Sequence, residues 1–229
     1  MIRKVALFFL FIPFLVISQK ANDAIIGDAK YLEDQVYVGV NYNFMLSKPI
    51  DVLQRNFSYG LQGGVIRDVP LNKKRTVALG IGLGYAVNSY YSNLISDNSN
   101  GAIVYAVASS DSLYNRSKIE THSIELPIEF RWRNSSPTDY KFLRIYTGVK
   151  FGYNFSARSK LVTDSGRTGF KNDDIQKLQY GLTLNMGYNT FNLHVYYSLS
   201  DFIKKDTFID TGEKFEIKPI RIGLIFYIL

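Results

Sequence analysis

Strict alternation of apolar and polar residues is the feature of this sequence that most constrains its fold. In the clearest run, apolar residues occupy the odd positions from Val77 to Val87, and small or polar residues occupy the even positions between and after them. Because successive side chains of a strand point to opposite faces, this period of two predicts a β-strand with one apolar face. Such runs recur along the chain, and they begin at Val36, Ser58, Val77, Ile124, Leu143, Leu178, Phe191 and Ile220.

The lengths of the runs and of their connections indicate a membrane barrel. Most runs reach about ten residues, as a tilted strand crossing hydrocarbon requires, whereas strands of soluble sheets are mostly about five or six residues long. Short and long connections alternate, as they do in barrels that have both termini on one side. The short connections are 68–74, 134–141 and 189–190, and the long ones are 92–118, 158–174 and 201–214.

Hydrocarbon leaves no partner for a free backbone amide, so a sheet that crosses it must close on itself. We therefore predict an all-β fold, a closed eight-stranded antiparallel up-and-down transmembrane β-barrel. A soluble barrel with an apolar interior, such as a lipocalin-like carrier, has the same alternation and remains an alternative. Aromatic residues near the run ends are expected to form girdles at headgroup depth; they are Tyr42, Phe44, Tyr85, Phe155, Tyr188, Phe191, Phe226 and Tyr227.

The N-terminus has the pattern of a secretory signal peptide. Basic residues precede an apolar stretch over 5–17, and Val16 and Ser18 fit the small-residue rule for cleavage. An apolar stretch of about 13 residues is short for a membrane helix, which needs about 20. We expect a cleaved signal peptide over 1–18, a periplasmic lead-in over 19–35 and an outer-membrane barrel over 36–229, which places the mature protein in the cell outer membrane.

The charge and the lack of cysteine exclude several classes of function. The net charge is +7, but the basic residues are scattered and their longest cluster, 73–75, falls in a predicted turn, so nucleic-acid binding is not expected. The absence of cysteine excludes disulfides, thiolate metal sites and an N-terminal lipid anchor on cysteine. No cofactor and no small-molecule substrate are expected.

The polar faces of the predicted strands carry charges that would point into the lumen. An eight-stranded barrel encloses a space that side chains can fill, so buried charges must pair with one another. We interpret these residues as a structural lumen charge network, and a translocation or ligand path as the alternative. The predicted network consists of Glu125, Glu129, Arg131, Arg133, Arg144, Lys150 and Arg221.

Catalysis finds little support in the sequence. The histidines, His122 and His194, lie in different strands, one beside a long connection and one on a lumen face. Neither has the spacing of a metal site or a triad. Some outer-membrane lipases and palmitoyl transferases use barrels with Ser and His, so a grouping of Ser109, Ser110 and His122 is an enzymatic alternative.

Two neighbouring segments carry a resemblance to a known family. The sequence ELPIEFRWR at 125–133, followed after a short turn by FLRIYTGVKFGY at 142–153, resembles the PorT family of Bacteroidetes, called SprT in gliding species. These proteins are outer-membrane barrels required for the type IX secretion system. The resemblance implies a non-enzymatic accessory role in type IX protein secretion and gliding motility, with other secretion-system proteins and outer-membrane lipid as partners. The alternative is a generic small barrel that acts as an adhesin or envelope stabiliser through its outer loops.

Overall fold

The computed structural model describes residues 34–98, 101–108, 114–134, 143–188 and 191–228. The chain divides into two units, Met1–Tyr31 and Leu32–Leu229, and the described residues all belong to the second. The predicted signal peptide over 1–18 and nearly all of the predicted lead-in over 19–35 lie outside the described residues. In the described part, no helix is both long and apolar enough to cross a membrane.

Eleven β-strands make up the described part of the chain. In chain order they are β1 (Asp34–Leu46), β2 (Tyr59–Pro70), β3 (Val77–Ser92), β4 (Leu94–Asp97), β5 (Val104–Val107), β6 (Arg116–Arg133), β7 (Leu143–Thr163), β8 (Gly166–Lys171), β9 (Leu178–Tyr188), β10 (Phe191–Ser198) and β11 (Lys218–Ile228).

Eight of these strands close into a barrel. The order around the barrel is β1, β2, β3, β6, β7, β9, β10 and β11, and each neighbouring pair is antiparallel. The barrel closes where β11 pairs with β1, from Val36 opposite Ile228 to Leu46 opposite Lys218. The predicted eight-stranded antiparallel barrel is confirmed. We call the end that holds Val36 and Ile228 the turn end, and the opposite end the loop end.

The barrel is polar inside and apolar outside. On β9, Leu178 and Tyr180 are 61% and 45% exposed, whereas Gln179 and Asn185 on the opposite face are 7% and 0% exposed. A large continuous apolar surface of this kind requires lipid or another apolar partner. The alternative of a soluble barrel with an apolar interior is therefore wrong.

The outward apolar residues form a belt that we call the apolar band. On β3 the band runs from Val77 to Val87, which corresponds to about 33 Å along the strand and about 25 Å along the barrel axis at a tilt of about 40°. On β6 it runs from Ile124 to Trp132. This height agrees with the band of about 25 Å that membrane barrels present to hydrocarbon.

Two residues depart from the prediction. Tyr227 lies on the other side of the barrel wall, and Asp68 lies in a strand and not in a turn. Tyr227 is not part of an aromatic girdle, because its ring lies in the lumen beside Tyr37 and Tyr146. Asp68 was expected to begin a turn, but β2 continues to Pro70 and buries Asp68 in the lumen. The apolar–polar pattern breaks at Ile66, which packs inward against Tyr37, so the pattern predicts a strand that ends before the observed one.

Two predicted loops contain strands. The connection 92–118 holds a hairpin of β4 and β5, and the connection 158–174 is largely the end of β7 paired with β8. These segments lie beyond the apolar band, where an outward side chain meets water or polar headgroups and not hydrocarbon. On β7 and β8 the outward residues are mostly polar, as at Arg158, Lys160 and Lys171, so the alternation that identified the other strands is lost there, whereas β5 exposes Val104.

The connections at the loop end pack on one another and on the strand ends, and we call them the cap. The cap consists of the described residues of 47–58, 93–108, 172–177 and 199–217. Tyr105 forms a bridge with Ile209, and Ile175 forms one with Ile203. The apolar core of this region contains Met45, Val52, Tyr90, Leu94, Tyr105, Ile119, Ala157, Ile175, Phe202, Ile203, Ile209, Phe215 and Ile217.

Candidate functional site

All seven residues of the predicted lumen network are buried inside the barrel. Four come from β6, two from β7 and one from β11, so the network joins opposite sides of the barrel. They are Glu125, Glu129, Arg131, Arg133, Arg144, Lys150 and Arg221. The structure brings them together in two groups, which differ in their height along the barrel axis.

The first group surrounds Asp68 near the turn end. Arg131 donates from Nη1 to one oxygen of Asp68 at 2.7 Å, and Arg133 donates from Nη1 to the other oxygen. Arg131 also donates from Nε to Glu129 at 2.9 Å and from Nη1 to the side chain of Gln35 at 2.9 Å. One guanidinium thus connects β1, β2 and β6.

Aromatic rings and a glycine hold Arg131 in place. Its guanidinium carbon lies 4.4 Å from the ring centre of Tyr146 and 5.0 Å from that of Tyr227, distances at which a cation and a ring attract. Arg144 lies near the same ring, 6.0 Å from the centre of Tyr227. Gly80 lies opposite Glu129 and diagonal to Arg131 on the neighbouring strand, and a Cβ at this position would be 2.7 Å from Arg131 Nε. The glycine therefore provides the space that the arginine fills.

The second group surrounds Glu125. Its two oxygens lie 3.0 Å from Lys150 Nζ and 2.9 Å from Arg221 Nη1. Lys150 also donates to the side chain of Gln62 at 2.7 Å, and Arg221 lies 3.9 Å from the ring centre of Tyr196. Each of these charges has an oppositely charged partner and a further polar or aromatic contact, as buried charges require.

Two neutral side chains extend the first group toward His194. Asn185 donates from Nδ2 to Glu129 at 3.1 Å, and its carbonyl oxygen contacts His194 Nδ1. A cavity of about 10 Å³ lies beside His194, Lys150 and Tyr227, which is about the space that one water molecule needs. Lys150 and Glu125, which lie in the same part of the lumen, are 3% and 1% exposed. The described lumen around them is filled, because a water-filled channel would expose these side chains.

Three network partners were missed from the sequence. Asp68 was assigned to a turn, and Gln35 and Gln62 are uncharged residues that a search for paired charges passes over. A partial signal for Asp68 is present, because Val65 and Val69 share the outward face of β2, although the charged Arg67 interrupts that face between them.

The candidate catalytic residues are not brought together in the described structure. His122 faces outward at the edge of the apolar band, where its Nδ1 lies 2.6 Å from the hydroxyl of Tyr85. Ser109 and Ser110 lie outside the described residues. His194 is buried in the lumen, on the opposite side of the wall from the outward face that holds His122. Among the residues that the structure describes, no group of His, Asp or Glu could hold a metal ion.

Comparisons with known proteins agree with the barrel architecture. Residues 17–204 match the family described as outer membrane protein beta-barrel domain. A search of curated proteins gave no match. Similar solved structures include two crystal structures of Ail, the attachment invasion locus protein of Yersinia pestis, one of them in complex with the heparin analogue sucrose octasulfate. Each has 11% sequence identity and a TM-score of 0.36, over 86% of this chain and 98% of Ail. This likeness is too distant to support a functional argument.

Proposed function

Because this chain belongs to the family of outer-membrane protein β-barrel domains, we propose that it is a non-enzymatic accessory component of the type IX protein secretion system, which also serves gliding motility. The filled lumen is the observation that carries the proposal. A barrel whose interior is closed by buried ion pairs is suited to hold or anchor other proteins and not to conduct a substrate. The resemblance of 125–133 and 142–153 to the PorT family indicates that the barrel would serve the type IX secretion system.

The lumen network has a structural role in this proposal. Six of its seven predicted residues come from the two segments that carry the resemblance. Because β6 and β7 pair along their full length, from Arg133 opposite Arg144 to Arg116 opposite Val162, these segments form one continuous part of the wall. The ion pairs of the network link this part to β2 and β11, which stabilises the barrel at the heights where its interior is charged.

A clean deletion tests the proposal. We expect cargo that bears the C-terminal signal domain of this system to remain in the periplasm, and gliding to stop where the organism glides. Expression of the full chain should restore both. A detergent pull-down of the tagged full chain, read by mass spectrometry, is expected to recover other components of the machine. Normal cargo export in the deletion strain would overturn the proposal.

An adhesin or envelope stabiliser is the second candidate, and the cap favours it. The cap has its own apolar core, and it also presents large apolar side chains to solvent, among them Val104 at 53% and Phe208 at 56% exposure. A packed surface with exposed apolar groups is suited to bind another protein. Replacing the cap segments 93–108 and 199–217 with short turns should then abolish the phenotype while the barrel still inserts. A loop-deleted barrel that supports normal cargo export and loses surface attachment favours this candidate over the secretion role.

A further inference from the structure

A cluster of basic residues covers the outer wall of the barrel beyond the apolar band, at the loop end of β6, β7 and β8. We call this cluster the basic face. Side chains directly opposite each other in an antiparallel pair point to the same face, and the pairing of β6 with β7 and of β7 with β8 places these residues side by side. Among the described residues the basic face consists of Arg116, Lys118, Arg158, Lys160, Arg167 and Lys171.

The arrangement of these charges is unfavourable for the barrel alone. Lys118 lies directly opposite Lys160, and like charges in this position destabilise a sheet. Glu120 partly relieves the repulsion, because its oxygens contact both Lys118 and Lys160, the second at 2.6 Å. Outside the band, burial raises the pKa of Glu120, but hydrogen bonds from the two lysines outweigh it and lower that pKa to about 2. Positive charge still exceeds negative charge on the basic face.

Two adjoining cavities open on the basic face. The first, of about 240 Å³, is lined by Arg116, Lys118, Lys160 and Arg167 together with Thr168. The second, of about 490 Å³, is lined by Phe57, Tyr91 and Arg116 among others, so Arg116 borders both. Arg116 and Lys118 lie 5.9 Å and 5.5 Å from the ring centre of Tyr91. The two cavities combine cationic groups with an aromatic wall.

The height of the basic face relative to the apolar band determines which layer of the membrane it contacts. Tyr85, His122 and Phe155 pack together at the edge of the band, where aromatic residues lie at headgroup depth. Lys118 is four residues beyond His122 on β6, which corresponds to about 13 Å along the strand and about 10 Å along the barrel axis. The cations therefore lie beside the polar headgroups of the surrounding leaflet and point sideways into them.

We propose that the basic face binds the phosphate groups of phosphorylated lipid headgroups in the outer leaflet. Arginine offers a planar fork of donors that matches phosphate oxygens, and lysine offers point charges. The sideways direction of the side chains favours a lipid over a soluble anion, because a lipid is held at this depth by its acyl chains against the band. The inference rests on the membrane location and is independent of the proposed role in secretion.

The test compares two double variants of the full chain in lipid nanodiscs. Arg116→Gln with Arg167→Gln removes two cations from the first cavity and leaves Glu120 paired with its lysines. Lys73→Gln with Lys74→Gln removes the same charge from an exposed turn at the opposite end and is the matched control. The probes are diphosphorylated lipid A, the same lipid without phosphates, and inorganic phosphate, and binding is measured by native mass spectrometry and by titration.

The wild type and the control should prefer diphosphorylated to dephosphorylated lipid A, and the Arg116→Gln, Arg167→Gln variant should lose about tenfold or more in affinity, because two charge-assisted contacts are removed. Arg116→Lys with Arg167→Lys should recover part of the loss. Heat-modifiable migration on a gel shows whether each variant is folded.

Three results would overturn the proposal: equal binding by the glutamine variant and the wild type, equal binding of the two lipids, or binding of inorganic phosphate with no preference for the phosphorylated lipid.

Discussion

Arg131 on β6 donates to Asp68 on β2 at 2.7 Å, and β3 lies between the strands that carry them. The pair therefore spans the lumen face of β3, and the carboxylate of Asp68 is shared with Arg133. Both arginines and the aspartate have side chains that are 1% exposed or less. We regard Asp68 as the residue on which the turn-end half of the lumen depends.

Asp68→Ala is expected to lower the free energy of unfolding by about 3–5 kcal/mol, because it leaves two buried guanidinium groups without their shared carboxylate. The measurement is the midpoint of urea unfolding in detergent micelles, followed by heat-modifiable migration. Asp51→Asn, at an exposed position of the cap, is the control and should change the midpoint little. An Asp68→Ala variant as stable as the control would show that the ion pairs of Asp68 do not contribute to stability.

Gly80→Ala is expected to destabilise the barrel by about 1–3 kcal/mol, since overpacking forces side chains away from their preferred positions. The added Cβ would lie 2.7 Å from Arg131 Nε and 2.9 Å from its Cδ. Gly152→Ala is the control, because the nearest atom to its Cβ would be 3.9 Å away. Urea unfolding of both variants should separate them, and equal stability would contradict the tight contact between Gly80 and Arg131.

Glu125 and Lys150 are expected to show energetic coupling. Glu125→Gln leaves Lys150 and Arg221 facing each other without their common anion, and Lys150→Met removes one of these cations. The double variant should therefore be more stable than the sum of the single effects predicts, by about 0.5–3 kcal/mol. A double-mutant cycle by urea unfolding measures this quantity. Strictly additive effects on the free energy of unfolding would show that Glu125 and Lys150 do not interact.

The ion pairs of Glu120 should depend on pH in a defined window. Because the pKa of Glu120 is about 2 in the folded protein and near the ordinary value of about 4.3 in an unfolded chain, its contribution to stability is present above the ordinary value. It is lost as the pH falls from there toward 2. Carboxyl NMR of the folded barrel in micelles reports the titration directly. In Lys118→Gln with Lys160→Gln the pKa of Glu120 should rise, and an unchanged pKa would assign it to another cause.

Tyr105 should hold the cap together more by its ring than by its hydroxyl. The ring is fully buried, 4.9 Å from that of Phe215, and the hydroxyl donates to Asn172 at 3.0 Å. Tyr105→Phe is expected to cost about 1 kcal/mol, whereas Tyr105→Ala is expected to cost about 3–5 kcal/mol of local stability. Limited proteolysis within 93–108 and 199–217 measures the opening of the cap. Cleavage at the same rate in both variants would contradict this order.

The barrel could be predicted from the sequence because lipid imposes a simple requirement on every second residue. Between Val77 and Val87 each outward position is apolar, so β3 could be recognised without knowledge of any other strand. Beyond the band the requirement ends, so the sequence predicts a loop over 158–174, where the structure has β8 and the loop end of β7. The same cause hid the basic face, since Lys118 and Lys160 belong to the ends of β6 and β7 that the apolar pattern does not reach.

The partners within the lumen could be predicted only in part. Glu125, Lys150 and Arg221 were recognised as inward-facing charges, but the choice of partners depends on the shear of the barrel, which no single strand reveals. Asp68 illustrates the difficulty, because its partners are 63 and 65 residues away in the chain. Local pattern identifies the face of a residue, whereas the register between strands determines its contacts.

Because the barrel is apolar outside and polar inside, its apolar residues should tolerate substitution better than its polar ones, the reverse of a soluble protein. Liquid acyl chains adapt to whatever apolar shape the wall presents, so exchanges such as Leu182→Ile or Val38→Leu should be nearly silent. The interior has no such fluid neighbour, and its polar side chains must match one another in length, charge and direction. In this chain the information that selects one fold over its alternatives is therefore carried by the hydrophilic half of each strand, and divergence among related barrels should accumulate fastest where the protein is most hydrophobic.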